Sequence, residues 1–222
     1  MRGMQIRASV LALSCAVLTA CGAVPSSAPR SPQSAPRPIA VSPTAQTCLA
    51  QLNQTGSRFS PLPDRYEGRG CAVTGAVQLS AVRSDTSDLG VSNIGPVECE
   101  TARVFLGWAR FGVDRAARQI LGSPIARIET MGSYACRNVA GTSRRSAHAT
   151  AQAIDIGAFI LEDGRRISVH GDWSSGTHNE RQFLRIVHES ACKRFGTVLG
   201  PDYNDAHRDH LHLEIGGGGF CR

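Results

Sequence analysis

The sequence predicts an α+β domain in which helices pack on a small, mainly antiparallel sheet. Two stretches, residues 98–121 and 179–195, repeat apolar side chains at helical spacing. Between them, two apolar runs flank Asp163-Gly164, a dipeptide typical of the turn in a β-hairpin. Helices that pack on a largely hairpin-built, antiparallel sheet are characteristic of α+β domains. The stretch 47–222 is also long enough to bury one hydrophobic core.

The N-terminus, residues 1–20, is predicted to be a lipoprotein signal peptide. A positively charged start precedes an apolar run, Ala8 to Ala20, that is too short to span a bilayer. The run ends in Leu-Thr-Ala followed by Cys21, which resembles a bacterial lipobox, so we expect lipid on the Cys21 sulfur and a membrane anchor. Because Gly22 and not Asp follows, we expect the outer membrane, on the periplasmic face of the envelope. The alternative is an ordinary signal peptide with a chance cysteine.

Residues 21–46 are predicted to form a disordered tether that starts at the lipidated cysteine. This segment holds six of the chain's eleven prolines, mixed with serine and alanine, and it contains no aromatic residue. Such a composition cannot bury enough apolar surface to fold. We therefore expect residues 47–222 to form the folded domain.

The distribution of charge along the sequence argues against a nucleic-acid partner. The formal net charge is +6, which is mildly basic. The sequence has no basic run and no stripe of aromatic residues interleaved with arginine. We therefore expect no nucleic-acid partner.

Six cysteines are expected to form three disulfides. The chain has eight cysteines, of which Cys15 leaves with the signal peptide and Cys21 carries lipid. In an oxidising compartment, cysteines spread along a chain without a Cys-x-x-Cys pair indicate disulfides and not thiolate zinc ligands. Spacing leaves the connectivity open, and our expectation is sequential pairing: Cys48 with Cys71, Cys99 with Cys136, and Cys192 with Cys221.

Four elements are predicted ahead of the hairpin. The first is a short helix that ends at Gly56, and the second is a strand over residues 71–79. The helix over residues 98–121 places Val104, Phe105 and Trp108 on one side, and we expect a break near its Gly112. A strand with alternating polarity follows it over residues 123–135.

Two further elements are predicted after the hairpin. The helix over residues 179–195 has Asn179 as its expected N-cap, and Gly196 follows its last turn. Its apolar face is formed by Phe183, Val187, Ala191 and Phe195. The chain then ends with a strand over residues 209–215, where apolar and polar residues alternate.

Histidine and aspartate positions in the second half of the chain suggest a metal site. Asp155 lies inside an apolar strand, where a carboxylate is costly unless a cation or hydrogen bonds compensate it. His148 precedes it by seven positions, an odd offset, so His148 must lie in a bend before the strand to reach the same face. His210 and His212 share a face of the last strand, and either one can complete a His/Asp/His zinc site. The alternative for each histidine alone is a surface or core position.

Three motifs resemble the extensin-like C-terminal domain family of bacterial envelope proteins. They are "GSYACR", "SAHATAQAID" and "HRDHLHLEI", in that order, and the resemblance covers residues 47–222. The same order is similar to a wider group of zinc peptidases that includes D-alanyl-D-alanine carboxypeptidases, murein endopeptidases and the zinc-binding hedgehog domain. This similarity implies Zn²⁺ ligands at His148, Asp155 and His212. It also implies that Arg137 stabilises a developing oxyanion.

The similarity leaves the general base open. The carboxypeptidases place a glutamate three residues before the last ligand, where this chain has Asp209. The murein endopeptidases carry His-x-x-His-x-His, which matches His207, His210 and the last ligand. His210 and Asp209 therefore stand as near-equal candidates, with His207 third. A departure is Ala151, where many of these peptidases have glycine.

The resemblance implies a zinc-dependent peptidase that acts on peptidoglycan peptide stems or cross-links. One alternative is a non-catalytic module that keeps zinc and binds cell wall or an envelope partner. Another is a disulfide-stabilised structural lipoprotein without metal.

Overall fold

The computed structural model describes residues 42–222. The predicted signal peptide, Cys21 and most of the predicted tether lie outside the described residues. Helix α1 (Pro43–Gln54) opens this part, and the Ser42 hydroxyl caps it by accepting a hydrogen bond from the Ala45 amide. The predicted domain start at residue 47 falls inside this helix. No helix among the described residues is long and apolar enough to cross a membrane.

A ten-stranded sheet forms the framework of the domain. Its strands are joined in the order β1-β4-β5-β7-β8-β11-β10-β12, with β6 paired to β4 and β9 paired to β8, while β2 and β3 form a separate pair. Only the β5–β7 and β10–β12 pairs of the described sheet are parallel. The predicted α+β class with a mainly antiparallel sheet is thus confirmed. The sheet is larger than predicted, because it has more strands than the hairpin signal indicated. The bounds are β1 (Arg58–Pro61), β2 (Arg65–Gly68), β3 (Cys71–Val73), β4 (Ala76–Arg83), β5 (Asp88–Ser92), β6 (Pro96–Glu98), β7 (Ile125–Gly132), β8 (Ala153–Leu161), β9 (Arg166–Ser168), β10 (Thr197–Leu199), β11 (Leu211–Glu214) and β12 (Phe220–Cys221).

The helical stretch after β6 is continuous and not broken at Gly112. Helix α2 (Cys99–Trp108) runs on through wider, π-type turns to Leu121. A side chain at Gly112 would clash with the Ser190 hydroxyl, so this glycine lets another helix approach closely. The predicted break was therefore wrong, because here glycine serves packing and does not interrupt the helix.

Helices α3 (Val169–Ser175) and α4 (His178–Cys192) complete the helical side. The predicted N-cap at Asn179 was wrong: Thr177 caps α4, and it forms a reciprocal capping box with Glu180. The predicted apolar face of α4 is buried as expected. It packs into a core with the side chains of Phe105, Trp108 and Phe159.

Three disulfides are present, as expected, but their pairing differs from the sequential one. Cys192 pairs with Cys221 as predicted. Cys48 pairs with Cys99, and Cys71 pairs with Cys136. Sequential pairing failed because α1 packs against α2, and β3 packs beside the turn that precedes β8. Tertiary packing and not sequence distance selects these partners.

Candidate metal centre

His148 lies in a short 3-10 turn (Ala147–Thr150) directly before β8, which confirms the predicted bend. The Ser146 hydroxyl accepts a hydrogen bond from the His148 amide at the start of this turn. The turn ends at Ala151, whose φ of 58° is left-handed, a conformation that favours glycine. His148 itself is only 2 % exposed.

Asp155 and His212 are brought together by the pairing of β8 with β11. They are direct cross-strand partners in this antiparallel register, so their side chains share one face of the sheet. The Nδ1 atom of His212 is 2.9 Å from Asp155 Oδ1. His148 completes the group, with its Nε2 atom 3.2 Å from Asp155 Oδ2 and 3.2 Å from His212 Nδ1. The three predicted ligands therefore converge.

Protein acceptors occupy the outer nitrogen of each imidazole in this cluster. His148 Nδ1 lies 3.2 Å from the backbone carbonyl of Ser133, and His212 Nε2 lies 3.3 Å from Glu214 Oε2. These contacts fix the ring orientations and direct the remaining nitrogens at Asp155. Sequence reasoning missed Glu214, although it follows His212 by two positions and so shares its face of β11.

The cluster is electrostatically coupled. Burial alone would raise the pKa of Asp155, but hydrogen bonds from His148 and His212 outweigh it and hold this pKa well below its ordinary value. Burial alone would lower the pKa of His212, yet its hydrogen bonds to Asp155 and Glu214 raise it to about 9. Without a metal, His212 is therefore the cation that compensates the buried Asp155 carboxylate.

The donor set and its spacing fit zinc. Zinc is commonly held by imidazole nitrogen and carboxylate oxygen, and two donors at its usual bond length and tetrahedral angle lie about 3.3 Å apart. The two imidazole nitrogens lie 3.2 Å apart, and each lies close to one of the two Asp155 oxygens, at 3.2 Å from Oδ2 for His148 and 2.9 Å from Oδ1 for His212. Three protein donors also leave a fourth position open, as in catalytic zinc sites. His148, Asp155 and His212 could therefore hold the ion.

The candidate bases lie beside this cluster in different arrangements. His210 Nε2 is 3.7 Å from Asp155 Oδ1, while His210 Nδ1 is 2.8 Å from the Asp209 carboxylate. Asp209 therefore contacts the cluster through His210. The predicted last strand starts at Leu211 and not at Asp209, but His210 still faces the cluster.

His207, the third candidate, extends the row of imidazoles. Its ring centroid is 5.2 Å from that of His210 and 5.9 Å from that of His212. Burial and the neighbouring charges of these two histidines lower the pKa of His207 to about 4. His207 is therefore neutral at neutral pH, and its Nδ1 lies 2.7 Å from Asn204 Oδ1.

An open cavity of about 600 Å³ adjoins the histidine row. His207, His210, His212 and Arg137 are among the residues that line it. Arg137 lies one residue after the Cys71–Cys136 disulfide, and its charge helps to lower the pKa of His207. The structure thus brings the predicted metal ligands and catalytic candidates into one region, with Asp209 in contact with it through His210.

A second group of potential ligands lies apart from this cluster. Among the described residues, His188, Cys192 and Cys221 also bring donor atoms within 4.8 Å of one another. Cys192 and Cys221 are joined in a disulfide, so they offer no thiolates. Among the described residues, the His/Asp/His cluster is therefore the candidate metal site.

Together, the fold and the site define a disulfide-bonded α+β domain with a buried His/Asp/His cluster at the edge of an open cavity. The family model described as "Extensin-like protein C-terminus" matches residues 46–222, so the chain belongs to this family. Comparison with curated proteins gives no match, and comparison with solved structures gives none. The family predicted from the motifs is confirmed, and the relation to zinc peptidases stays a prediction.

Proposed function

We propose that this protein is a zinc-dependent peptidase that hydrolyses amide bonds in the peptide stems or cross-links of peptidoglycan. The observation that carries the proposal is the convergence of His148, Asp155 and His212 beside an open cavity. His210 at the cavity edge adds a group that is able to accept a proton. A binding site for a structural metal alone does not require such a group.

Each residue has a distinct role in this proposal. Zinc, when bound, supplies Lewis acidity toward water and toward an amide carbonyl. His210 accepts the water proton at Nε2 and returns it to the leaving amine, while Asp209 holds the His210 ring through Nδ1. Arg137 lines the cavity, where its guanidinium stabilises negative charge that develops on the carbonyl oxygen. The geometry therefore favours His210 over Asp209 as the base.

The proposed location follows from the sequence. Lipid on Cys21 would anchor the protein at the periplasmic face of the envelope, in the outer membrane. An extended tether gains about 3 Å per residue, so the predicted tether ahead of α1 would let the domain reach the cell wall from the anchor. Peptidoglycan stems are the amide substrate available in that compartment.

A second candidate is a non-catalytic zinc-containing module that binds cell wall or an envelope partner. One observation favours it: Asp209, at the position of the carboxypeptidase glutamate, is engaged by His210 and lines a different cavity from the histidine row. If His210 does not act as a base, the site binds zinc without hydrolysis.

Metal analysis tests the zinc site. Purified wild-type protein should retain about one zinc ion per chain after desalting, because three protein donors hold it. His148→Ala and His212→Ala should lose most of it. His178→Ala is the matched control, since His178 is exposed and lies outside the cluster. Absence of near-stoichiometric zinc, or unchanged loading in His212→Ala, contradicts the proposal.

Digestion of purified sacculi separates the two candidates. A peptidase should release new amine ends, and a chelator should abolish the release. His210→Ala should retain zinc but lose about 10²- to 10⁴-fold in rate, the usual contribution of a general base. Sedimentation with sacculi without any new amine ends would support the non-catalytic module instead.

A further inference from the structure

Residues 137–146, several of which line the cavity, form an irregular hairpin that sequence analysis did not identify. Asn138 and Arg145 form an isolated antiparallel bridge, and the Val139 amide donates to the Arg144 carbonyl at 2.9 Å. A further backbone hydrogen bond, 3.2 Å long, joins the Ser146 amide to the Arg137 carbonyl. We call residues 137–146 the cavity hairpin. It fixes the backbone of both arginines that line the cavity.

Among the described residues, the guanidinium groups of these two arginines, Arg137 and Arg144, have no acceptor partner in the protein. Both are exposed at the cavity, and within residues 42–222 neither guanidinium makes an ion pair or a hydrogen bond. Arg145, the residue after Arg144, differs from these two arginines because its guanidinium donates a hydrogen bond to the Arg69 carbonyl. Glu214 is the single acidic residue among those that line the cavity, and it is engaged by His212. The lining therefore carries an excess of positive charge.

We propose that Arg144 binds the free C-terminal carboxylate of a peptide stem that enters this cavity. The guanidinium presents parallel N–H donors that match a carboxylate. In Arg144 no acceptor among the described residues bonds to these donors. Arg137, whose charge acts on His207, keeps the role at the reacting carbonyl that the proposed function gives it. This inference rests on the proposed function and narrows its substrate to stems with a free C-terminus, in preference to cross-linked stems.

The test compares two ligands that differ only in this group. The probe is an N-acetylated stem pentapeptide in its isoglutamine and lysine form, whose sole carboxylate is C-terminal, and its match is the same peptide as a C-terminal amide. Zinc-loaded wild-type protein should bind the acid about ten- to a hundredfold more tightly than the amide, the usual effect of a charged hydrogen bond. Isothermal titration gives both dissociation constants.

Variants assign the preference to Arg144. Arg144→Gln should bring the ratio of the two dissociation constants to about one and leave binding of the amide unchanged. Arg144→Lys should keep part of the preference, because the charge remains. Arg194→Gln is the matched control: Arg194 bonds to Ser190 and does not line the cavity. Thermal melting verifies that all variants fold.

Failure of this inference differs from failure of the proposed function. A wild-type protein without preference for the acid, or an Arg144→Gln variant that keeps it, overturns the carboxylate site, even if both peptides are cleaved. A wild-type protein that prefers the acid through Arg144 but cleaves neither peptide supports the carboxylate site and contradicts the peptidase.

Discussion

The two buried histidines of the cluster differ in the acceptor that contacts the ring nitrogen facing away from Asp155. His148 uses a backbone carbonyl, that of Ser133, whereas His212 uses the carboxylate of Glu214. A carboxylate on the far side of a ligating imidazole fixes the ring and raises its basicity. At the scale of single residues, we therefore expect Glu214 to support the proposed metal site through His212.

Replacing Glu214 tests this supporting role. Glu214→Gln keeps the size and a hydrogen-bond acceptor but removes the charge, so zinc affinity should fall by about 10- to 100-fold. Chelator competition measures the change. Glu189→Gln, an exposed change in α4 that breaks an ion pair with Lys193, serves as the control and should leave zinc affinity unchanged. Equal zinc affinity in both variants would show that Glu214 does not act on His212.

The raised pKa of His212 predicts how zinc affinity depends on pH. In the metal-free protein this pKa is about 9, so His212 is protonated at pH 7 and must release its proton before Nδ1 binds zinc. Between pH 6 and pH 8 the apparent affinity should rise about tenfold per pH unit from this group, and the rise should end above its pKa. Chelator competition across this range measures the slope. A flat profile would contradict the predicted protonation of His212.

At the scale of elements, the Cys71–Cys136 disulfide joins β3 to the segment that carries the site. Cys136 directly precedes Arg137 and the cavity hairpin. The bond spans 65 residues of sequence, so it constrains the unfolded chain strongly. The Cys48–Cys99 bond spans 51 residues but lies between α1 and α2, away from the cavity.

Removing each disulfide separates stability from site geometry. Cys71→Ser with Cys136→Ser should lower the free energy of unfolding by about 4 kcal/mol and weaken the preference for the acid peptide. Cys48→Ser with Cys99→Ser should cost about as much stability but keep that preference. Urea unfolding and peptide titration measure the two effects. Equal loss of the preference in both variants would show that the effect is global.

An element can be predicted from the sequence when the residues that determine it lie within one short stretch of the chain. The helix face that includes Val187 and the hairpin at Asp163-Gly164 are encoded by spacing and turn chemistry, and both were confirmed. The parallel β5–β7 pair, the pairing of Cys71 and the approach of α4 at Gly112 depend on contacts between distant segments. The spacing of apolar residues along the sequence does not indicate which distant segments will come into contact. The same division explains the site, since the predicted ligands lie in motifs, whereas the placement of the cavity hairpin beside the histidines depends on the tertiary fold.

At the scale of the whole molecule, the cluster ties the sheet to the turn that precedes β8. His148 comes from that turn, and Asp155 and His212 come from the paired strands β8 and β11. An ion bound by all three must therefore stabilise the folded domain, because the unfolded chain does not keep these donors together.

Thermal unfolding tests this coupling. At a free zinc concentration 100 times the dissociation constant, the folded state should gain about 2.7 kcal/mol, and the melting temperature should rise by about 5–10 °C. His212→Ala should show no comparable rise at the same zinc concentration. If wild-type protein and His212→Ala respond equally to zinc, the stabilisation comes from another site.

Zinc-edge anomalous diffraction from crystals of the zinc-loaded protein tests the metal centre most directly. We predict one strong peak, about 2.0–2.2 Å from His148 Nε2, His212 Nδ1 and an oxygen of Asp155. A peak at other residues, or a loaded crystal without a peak between these three side chains, would contradict the account.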